Sequence, residues 1–206
     1  MDRGKFIVFE GIDGCGKSTA LTHAKQFLED KGLPVSAQVD PGSTDVGMQI
    51  RKVLLDNKNA NMCREAELLL YVAARSQLLS ENIEPAVSSG VNVLCDRYNL
   101  STEVYQYVFG DWKDDADILR VCSVLNGRLE PDWYILYDVP VNVARERSGK
   151  KRDRMESKSD QLFEAVRQRY LDFQKQRSNI YLVDATRSIE DVAKDTYNIL
   201  ESIFKL

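Results

Sequence analysis

Residues 11–18 follow a spacing that suits the binding of a polyphosphate. Their sequence, Gly-Ile-Asp-Gly-Cys-Gly-Lys-Ser, fits the pattern G-x-x-x-x-G-K-[ST]. Glycines at these positions let main-chain N–H groups come close to phosphate oxygens, while Lys17 can reach the terminal phosphates and Ser18 can offer its hydroxyl to Mg²⁺. The residues expected around the phosphates are Gly11, Asp13, Gly14, Cys15, Gly16, Lys17, Ser18 and Thr19.

The segments on either side of this loop supply the context that it needs. Residues 5–10 are a β-rich apolar run, and the stretch after Ser18 repeats apolar residues with the period of a helix. The loop is therefore predicted to join a buried strand to a helix, whose N-terminus favours a bound anion. The alternative is a glycine-rich turn that only connects the two elements.

A carboxylate and an arginine follow another apolar run. Asp96 ends the segment 91–96, and Arg97 comes directly after it. A carboxylate at a strand end downstream of a phosphate loop is suited to hold Mg²⁺, directly or through water, and a neighbouring guanidinium group is suited to a phosphate. The alternative is a structural ion pair at the end of the strand.

A strongly basic segment lies at residues 145–154, where six cationic residues face two acidic ones. It is too highly charged to pack in a core, and Gly149 offers a hinge. Guanidinium groups neutralise charge on a transferring phosphoryl group once water is excluded, so we interpret residues 145–158 as a lid that closes on a polyphosphate. The alternative is a solvated loop.

Apolar periodicity and turn residues predict alternating strands and helices. Strands are expected at residues 5–10, 35–39, 91–96, 133–138 and 180–184. Helices are expected at about 17–31, 45–56, 65–89, 100–109, 115–126, 141–148, 160–177 and 189–204, with an interruption near Pro85. Short apolar strands separated by helices indicate a three-layer α/β fold, in which a five-stranded parallel sheet is covered on both faces.

The carboxyl ends of parallel strands are where such folds bind their ligands. Asp13, Asp96, Asp138 and Asp184 lie at or just beyond predicted strand ends. This edge of the sheet is therefore expected to collect carboxylates.

Length and composition narrow the class of protein further. The 206 residues fit one domain, 1–206, and a net charge of −4 argues against a general nucleic-acid binder. The one histidine, His23, is expected to be an ordinary helix residue, and the four cysteines are too dispersed for a zinc site, so we expect reduced thiols. No apolar stretch reaches membrane-spanning length and no leader is recognised, so a cytoplasmic protein without a membrane partner is expected.

Beyond single motifs, the chain resembles the thymidylate kinases, a family of P-loop nucleoside monophosphate kinases. The likeness covers nearly the whole length and rests on the order and spacing of several short motifs. These are residues 9–14, residues 69–75, Asp96-Arg97-Tyr98, Ser101-Thr102, Tyr105-Gln106, residues 153–156 and Asp184-Ala185-Thr186.

The resemblance implies transfer of the γ-phosphoryl group of ATP to dTMP, with Mg²⁺ as cofactor. It implies that Tyr71 stacks on thymine, that Arg75 and Thr102 contact the base edge, and that Tyr105 packs under the deoxyribose. The substrate-binding set that it implies is Asp13, Arg51, Tyr71, Arg75, Arg97, Ser101, Thr102, Tyr105 and Gln106. From the residues alone, Tyr71 and Arg75 could instead form a surface cation–π pair, and Tyr105 could be ordinary core.

Within this family the chain is similar to the subgroup that carries its catalytic arginines in the lid, because Gly14 stands where the other subgroup has a basic residue. The catalytic residues implied are Lys17, Arg97, Arg147 and Arg154. Further contacts to ATP are expected from Arg145, Arg152, Thr186 and Arg187, and Mg²⁺ is expected at Ser18 and Asp96.

One position departs from the subgroup, which usually reads Thr-Arg-Glu-Pro-Gly where this chain has Gln-Val-Asp-Pro-Gly at residues 38–42. Val39 thus replaces an arginine expected to grip the acceptor phosphate, a loss of about 1.5–3 kcal/mol for a charge-assisted contact. Either Arg51 and Arg97 are expected to contribute more to binding that phosphate, or another cation is expected to take the place of the missing arginine.

Two other functions stay open from the sequence: a deoxynucleoside monophosphate kinase of broader base range, and a non-catalytic nucleotide-binding regulator on the same fold. The resemblance also implies a homodimer, for which the helices at 65–84 and 100–126 are plausible interface elements. The small-molecule partners expected are dTMP and ATP, with no nucleic acid.

Overall fold

The structure, a computed structural model, describes residues 3–110, 112, 115–122, 128–149 and 153–206. Its strands are β1 (Phe6–Glu10), β2 (Val35–Val39), β3 (Asn92–Asp96), β4 (Trp133–Asp138) and β5 (Ile180–Asp184). Its helices are α1 (Lys17–Asp30), α2 (Asp45–Leu55), α3 (Arg64–Leu78), α4 (Glu84–Ser88), α5 (Asn99–Phe109), α6 (Asp115–Cys122), α7 (Val141–Ser148), α8 (Asp160–Gln176) and α9 (Ile189–Phe204).

The five strands form one parallel sheet in the order β2-β3-β1-β4-β5. Strand β1 lies at its centre and is buried along its whole length, as its sequence of five residues, four of them apolar, predicts. Since β1 leads into residues 11–16, the candidate phosphate loop lies at the carboxyl edge of the central strand. The predicted α/β fold with a five-stranded parallel sheet is confirmed.

Helices pack on both sides of this sheet. Helix α1 packs against α9 and against β1, β2 and β3, whereas α8 packs against α5, β4 and β5. The main hydrophobic core lies between these layers and includes fully buried side chains of β1, β3 and β4. A smaller cluster of Leu68, Val72 and Ile118 joins α3 to α6.

The region predicted as one long helix over residues 65–89 consists of three pieces. Helix α3 ends at Leu78, a wider π-helical turn covers Leu79–Ile83, and α4 follows. The interruption thus precedes Pro85, because proline lacks an N–H and its ring crowds the carbonyl four residues earlier, which a wider turn can accommodate. A short 3₁₀ turn at Asn57–Asn59 was not predicted.

Side-chain caps fix the start of two helices near the site. The Thr44 hydroxyl accepts a hydrogen bond from the Gly47 N–H at the start of α2, and Ser159 caps α8 in the same way.

Helix α6 is described to Cys122, so the end predicted at residue 126 lies outside the described residues. Among the helices described, none combines the length and apolar character needed to cross a membrane.

Candidate active site

The loop between β1 and α1 surrounds the Lys17 side chain. Lys17 is 6% exposed, and its Nζ donates to the carbonyl oxygens of Gly11 at 3.1 Å and Ile12 at 3.0 Å. Gly16 has φ +99°, a left-handed conformation that glycine adopts without strain, and it lets α1 begin at Lys17. The N-terminus of α1 and the Lys17 ammonium group therefore converge within this loop.

Helix α7, which leads into the basic segment, packs directly on the loop. A Cβ atom at Gly14 would collide with the carbonyl oxygen of Ala144 and with the Ser148 hydroxyl. Gly14 also has φ +84°. The absence of a side chain at this position is therefore a packing requirement that keeps α7 close to the loop.

The two oxygen ligands expected for a metal ion lie side by side. The Ser18 hydroxyl donates to Asp96 Oδ2 at 2.6 Å, which joins the start of α1 to the end of β3. Asp96 does not pair with its neighbour Arg97, whose guanidinium group pairs with Asp13 instead, at 2.8 Å. The alternative of an Asp96–Arg97 ion pair at the strand end is therefore not what the structure contains.

Two cavities meet at the carboxyl edge of the sheet. The first, here called the acceptor cavity, is lined by all nine of the substrate-binding side chains that the resemblance implies. Its lining is Asp13, Asp40, Pro41, Arg51, Leu55, Tyr71, Arg75, Arg97, Ser101, Thr102, Tyr105, Gln106, Asp153 and Met155. The second, the donor cavity, is lined by Gly14–Ala20 of the loop and α1, and by Asp96, Arg147 and Arg187. Asp13, Arg51 and Arg97 line both.

Arg97 is held by a dense set of partners. Its Nη2 donates to Asp13 Oδ1 at 2.8 Å and to the Tyr105 hydroxyl at 3.3 Å, and its Nη1 donates to the Ser101 hydroxyl at 3.0 Å. Its backbone has φ +70°, an uncommon conformation for a residue with a side chain. The guanidinium group is thereby fixed between the two cavities, at the shared wall that Asp13, Arg51 and Arg97 form.

The carboxylate of Asp13 is kept ionised by its neighbours. Burial would raise the pKa of Asp13, but the positive charges of Arg97 and Lys17 outweigh this effect and hold its pKa below the ordinary value. The wall between the cavities thus carries one carboxylate between cationic groups.

Arg75 reaches the acceptor cavity from within the protein. It is 2% exposed, its Nε donates to Asp40 at 2.6 Å, and its Nη2 donates to the Thr102 hydroxyl at 2.7 Å. Its guanidinium group also lies over the Tyr98 ring, at 5.0 Å. Arg75 is thus not part of a surface cation–π pair with Tyr71, and Tyr105 both lines the cavity and belongs to the core.

The amide of Gln106 is oriented by a carboxylate. Its Nε2 donates to Glu67 Oε1 at 2.7 Å, and because a carboxylate can only accept, Gln106 Oε1 is left as an acceptor. This oxygen is buried and has no hydrogen-bond partner among the described residues, as is also true of Asp40 Oδ1. The acceptor cavity therefore contains two unpaired acceptors that a ligand could satisfy.

Arg147, expected from the sequence to be a catalytic arginine, lies beside the phosphate loop. It lines the donor cavity, and its Nη1 donates to the carbonyl oxygen of Ala185 at 2.8 Å. Arg187 lines the same cavity and pairs with Asp195, while the exposed Thr186 hydroxyl donates to Asp184 at 2.6 Å. Helix α7 and the loop after β5 thus meet beside the phosphate loop.

The other lid arginines are engaged elsewhere. Arg154 is buried, its Nε donates to the Leu54 carbonyl oxygen at 2.7 Å, and its Nη2 lies 2.5 Å from Glu67. Arg145 donates to carbonyl oxygens of residues 156 and 158 and to Asp160. Neither lines the donor or acceptor cavity, and Arg152 lies outside the described residues.

Val39 and Arg51 occupy the region of the departure from the subgroup. Val39 lines the donor cavity at the end of β2, and Arg51 donates from its Nη1 to the Pro41 carbonyl oxygen at 2.7 Å. Arg51 reaches the shared wall from α2, which Thr44 caps. A cationic side chain therefore lies at the wall although residue 39 is apolar.

Several residues at the site were not singled out from the sequence. Asp40 pairs with Arg75, Glu156 lines the donor cavity, and His23, expected as an ordinary helix residue, lines that cavity too. Asp138 of the predicted carboxylate edge instead pairs with Arg167 at 2.7 Å. Asp40 and Glu156 had a sequence signal, since Asp40 stands beside Pro41-Gly42 in the motif that departs from the subgroup and Glu156 ends the motif at residues 153–156.

Comparisons with known proteins agree with this geometry. The family model described as thymidylate kinase matches residues 9–196. A thymidylate kinase of Nitrosomonas eutropha is 41% identical over 99% of this chain and 95% of its own length. Those of Thermosipho africanus and Fervidobacterium nodosum are 39% and 35% identical, over 95% and 96% of this chain and 97% and 98% of their own lengths. The chain belongs to the thymidylate kinase family and is an enzyme of the nucleoside monophosphate kinase class.

Proposed function

We propose that the protein transfers the γ-phosphoryl group of ATP to the 5′-phosphate of dTMP, giving ADP and dTDP. An oxygen of the acceptor phosphate forms the new bond to the γ-phosphorus as the bond to the β,γ-bridging oxygen breaks. The observation that carries the proposal is that Asp13, Arg51 and Arg97 line both cavities. Two phosphates held on either side of this wall would be close enough to react, so the chemistry is positioning and charge stabilisation.

The donor cavity is assigned to ATP. The loop N–H groups and Lys17 would hold its phosphates, because the loop and the N-terminus of α1 converge there. Arg187 and Thr186 would contact the nucleoside part. Arg147 would stabilise charge on the transferring phosphoryl group, since among the described lid arginines it alone lines this cavity.

Arg154 ranks behind Arg147 in the catalytic assignment. Its guanidinium group would have to exchange Glu67 and the Leu54 carbonyl oxygen for a phosphate, at the cost of leaving Glu67 buried without its cation. Arg145 and Arg152 rank behind both. In this proposal the lid covers residues 145–158 of a single domain.

Ser18 and Asp96 would hold Mg²⁺. Their oxygens are 2.6 Å apart beside the phosphate loop, and hard oxygen ligands suit this ion. The described residues contain no cluster of three or more metal-ligating side chains, which fits an ion that completes its shell with phosphate oxygens and water. When bound, it would neutralise charge on the ATP phosphates.

The acceptor phosphate is assigned to Arg51 and Arg97. Both reach the shared wall, from α2 and from the end of β3, and forked guanidinium groups suit a phosphate. Arg51 would supply the charge that Val39 does not. Asp13, at the same wall, would accept a hydrogen bond from the 3′-hydroxyl of the sugar.

The unpaired acceptor of Gln106 supports a base with an N–H at its Watson–Crick edge. Thymine has one at N3, whereas cytosine presents an acceptor there, which would face Gln106 Oε1 unfavourably. Tyr71 would stack on the base, and Arg75 with Thr102 would face its carbonyl edge. Ser101 and Tyr105 complete the cavity on the sugar and phosphate side.

The assembly proposed is a homodimer, and the compartment proposed is the cytoplasm. Large apolar side chains are exposed on the packed pair α2 and α3, among them Val46, Val53 and Leu69. Exposed apolar side chains on adjacent helices support an interface there. Of the two regions expected from the sequence, this favours the helix at 65–84.

The test is an ADP-release assay with Mg²⁺–ATP and, one at a time, dTMP, dUMP, dCMP and dGMP. We expect the highest kcat/KM with dTMP, and a value for dCMP lower by about tenfold or more because Gln106 Oε1 would stay unpaired. Equal rates with all four would overturn the thymine assignment in favour of the broader kinase.

Two further outcomes bear on the proposal. Absence of ADP formation with every monophosphate, despite ATP binding, would favour a regulatory nucleotide-binding protein. The variant Lys17→Met is expected to lose turnover while staying folded, and intact turnover in that variant would contradict the assignment of the donor cavity.

A further inference from the structure

Glu10, at the end of the central strand, is fully buried and lines neither the donor nor the acceptor cavity. Its Oε1 accepts hydrogen bonds from the N–H groups of Tyr98 and Ser101, both at 3.1 Å. Its Oε2 accepts from the Ser101 hydroxyl at 2.6 Å and from the Tyr170 hydroxyl at 2.9 Å. Four donors therefore converge on one carboxylate, an arrangement that the ionised form satisfies completely.

The two hydroxyls each have one proton to give. When Ser101 and Tyr170 both donate to Glu10 Oε2, their lone pairs are left for other donors. The nearest cationic donor is Arg97 Nη1, which lies 3.0 Å from the Ser101 hydroxyl and 3.4 Å from that of Tyr170. Glu10 thus turns two hydroxyls into acceptors that face the Arg97 guanidinium group.

The guanidinium group of Arg97 is held at both of its terminal nitrogens. Asp13 and Tyr105 hold its Nη2, whereas Ser101 and Tyr170 hold its Nη1. The plane of the guanidinium group is therefore fixed from both sides.

We propose that Tyr170 and Glu10 are positioning residues, which orient Arg97 toward the acceptor phosphate through the Ser101 and Tyr170 hydroxyls. The inference deepens the proposed function and rests on it, since it takes Arg97 as a ligand of that phosphate. Neither residue lines the acceptor cavity, so each acts on the acceptor through the groups that it holds there, Arg97 and Ser101.

Tyr170 also connects Arg97 with the lid. It lies on α8, the helix that follows the lid and whose residue Asp160 pairs with Arg145. Arg145 lies over the Phe163 ring of the same helix, at 4.2 Å. The position of α8 is thus linked to the lid at its start and to the acceptor arginine through Tyr170.

The variant Tyr170→Phe tests the inference, with Tyr137→Phe as its matched control. Both side chains are fully buried, and both hydroxyls lie close to another hydroxyl, that of Tyr170 at 2.8 Å from Ser101 and that of Tyr137 at 3.0 Å from Thr196. Both variants are expected to lose stability to urea, Tyr170→Phe the more because its hydroxyl also donates to the Glu10 carboxylate. Only Tyr170→Phe is expected to raise KM for dTMP, by about tenfold, with KM for ATP within twofold of that of the unaltered protein.

Comparing the binding of two ligands distinguishes a loss of Arg97 positioning from a general loss of structure at the site. Calorimetry with dTMP and with thymidine, which lacks the phosphate, measures what the phosphate contributes to binding. We expect Tyr170→Phe to weaken dTMP binding about tenfold and to leave thymidine binding unchanged. Equal weakening of both ligands, or the same change in Tyr137→Phe, would overturn the inference, as would dTMP affinity within twofold of normal.

A second variant, Glu10→Gln, keeps the side-chain size but places an amide that donates where the hydroxyls need an acceptor. It is expected to weaken dTMP binding at least as much as Tyr170→Phe does. Should this variant fail to fold, Glu10→Asp replaces it, because it withdraws the carboxylate from both hydroxyls by one methylene group, and it is expected to show the same loss confined to dTMP. Unaltered protein that turns over no dTMP would overturn the proposed function itself, whereas normal turnover with an unaffected Tyr170→Phe would overturn only the positioning role.

Discussion

Arg51 is the residue proposed to bind the acceptor phosphate in place of the arginine that Val39 replaces. It lines both cavities and is the cationic side chain that α2 brings to the shared wall. We expect Arg51→Ala to raise KM for dTMP by about 10- to 100-fold, the equivalent of one lost charge-assisted contact of about 1.5–3 kcal/mol. Steady-state kinetics with dTMP varied at saturating ATP measures this.

The neighbouring Lys52 supplies the control for that experiment. It is exposed on the same helix and lines neither cavity, so Lys52→Ala removes one positive charge without removing the proposed contact. We expect its KM for dTMP to stay within twofold of normal. A near-normal KM in Arg51→Ala would refute the role given to Arg51.

Asp13 makes stability depend on pH in the acid range. Burial opposes its ionisation, but Arg97 and Lys17 lower its pKa below the ordinary value of 3.8, so its contribution is fully present above that value and is lost as pH falls through the folded-state pKa. We expect urea unfolding without ligand to show a steeper loss of stability below about pH 4 for the unaltered protein than for Asp13→Asn. Parallel curves for the two proteins would contradict this.

At the scale of elements, the contact between the phosphate loop and α7 depends on Gly14. An alanine there combines φ +84° with a collision against Ala144 and Ser148. We expect Gly14→Ala to lose more than about 1 kcal/mol in the free energy of unfolding and to lose most activity, because α7 and Arg147 must move away. Urea titration and the ADP-release assay measure the two effects.

Gly32 provides the matched comparison for Gly14. It has φ +77°, and a Cβ atom added there would meet nothing within 4 Å, so Gly32→Ala carries the backbone strain without the collision. A smaller stability loss with full activity is expected for Gly32→Ala. Equal losses in both variants would show that strain alone, and no contact with α7, explains the effect.

Elements with a clear local pattern were predictable from sequence, and those set by packing were not. Strands β2, β4 and β5 have the predicted bounds because each is a short β-forming segment between turn residues, which leaves little choice of where it begins and ends. The π-helical turn before Pro85 was not predicted, since periodicity alone does not reveal how a helix accommodates a proline. A turn as short as Asn57–Asn59 also lacks an apolar period.

In the candidate site, too, the features set by local sequence were predictable and those set by tertiary contacts were not. Its phosphate loop is continuous in sequence, so the strand, the glycines and Lys17 could be predicted together. The partners of the arginines could not be predicted, because Asp40 with Arg75, and Glu67 with Arg154, are separated by 35 and 87 residues and meet only in the folded chain. The ion pair of Arg154 with Glu67 thus depends on the tertiary structure and has no local sequence signal.

At the scale of the whole molecule, the proposed homodimer predicts where a charge would disrupt association. Leu69 on α3 is 56% exposed, and we expect Leu69→Glu to shift the protein from dimer to monomer in sedimentation velocity, because a buried unpaired carboxylate destabilises an interface. Leu182 on β5, 46% exposed and away from α2 and α3, is the control. Dissociation by Leu182→Glu alone, or a monomeric unaltered protein, would contradict the interface.

The wall that the two cavities share has an electrostatic consequence for how the ligands bind together. It carries two guanidinium groups and one carboxylate, a surplus of a single positive charge, while both nucleotides bring multiply charged anions to it. The same single surplus positive charge must therefore offset part of the charge of both anions. Binding of one nucleotide weakens binding of the other unless further cations arrive with it. Simultaneous occupancy thus depends on charge brought from outside the wall, by the lid or by the ion that accompanies the donor.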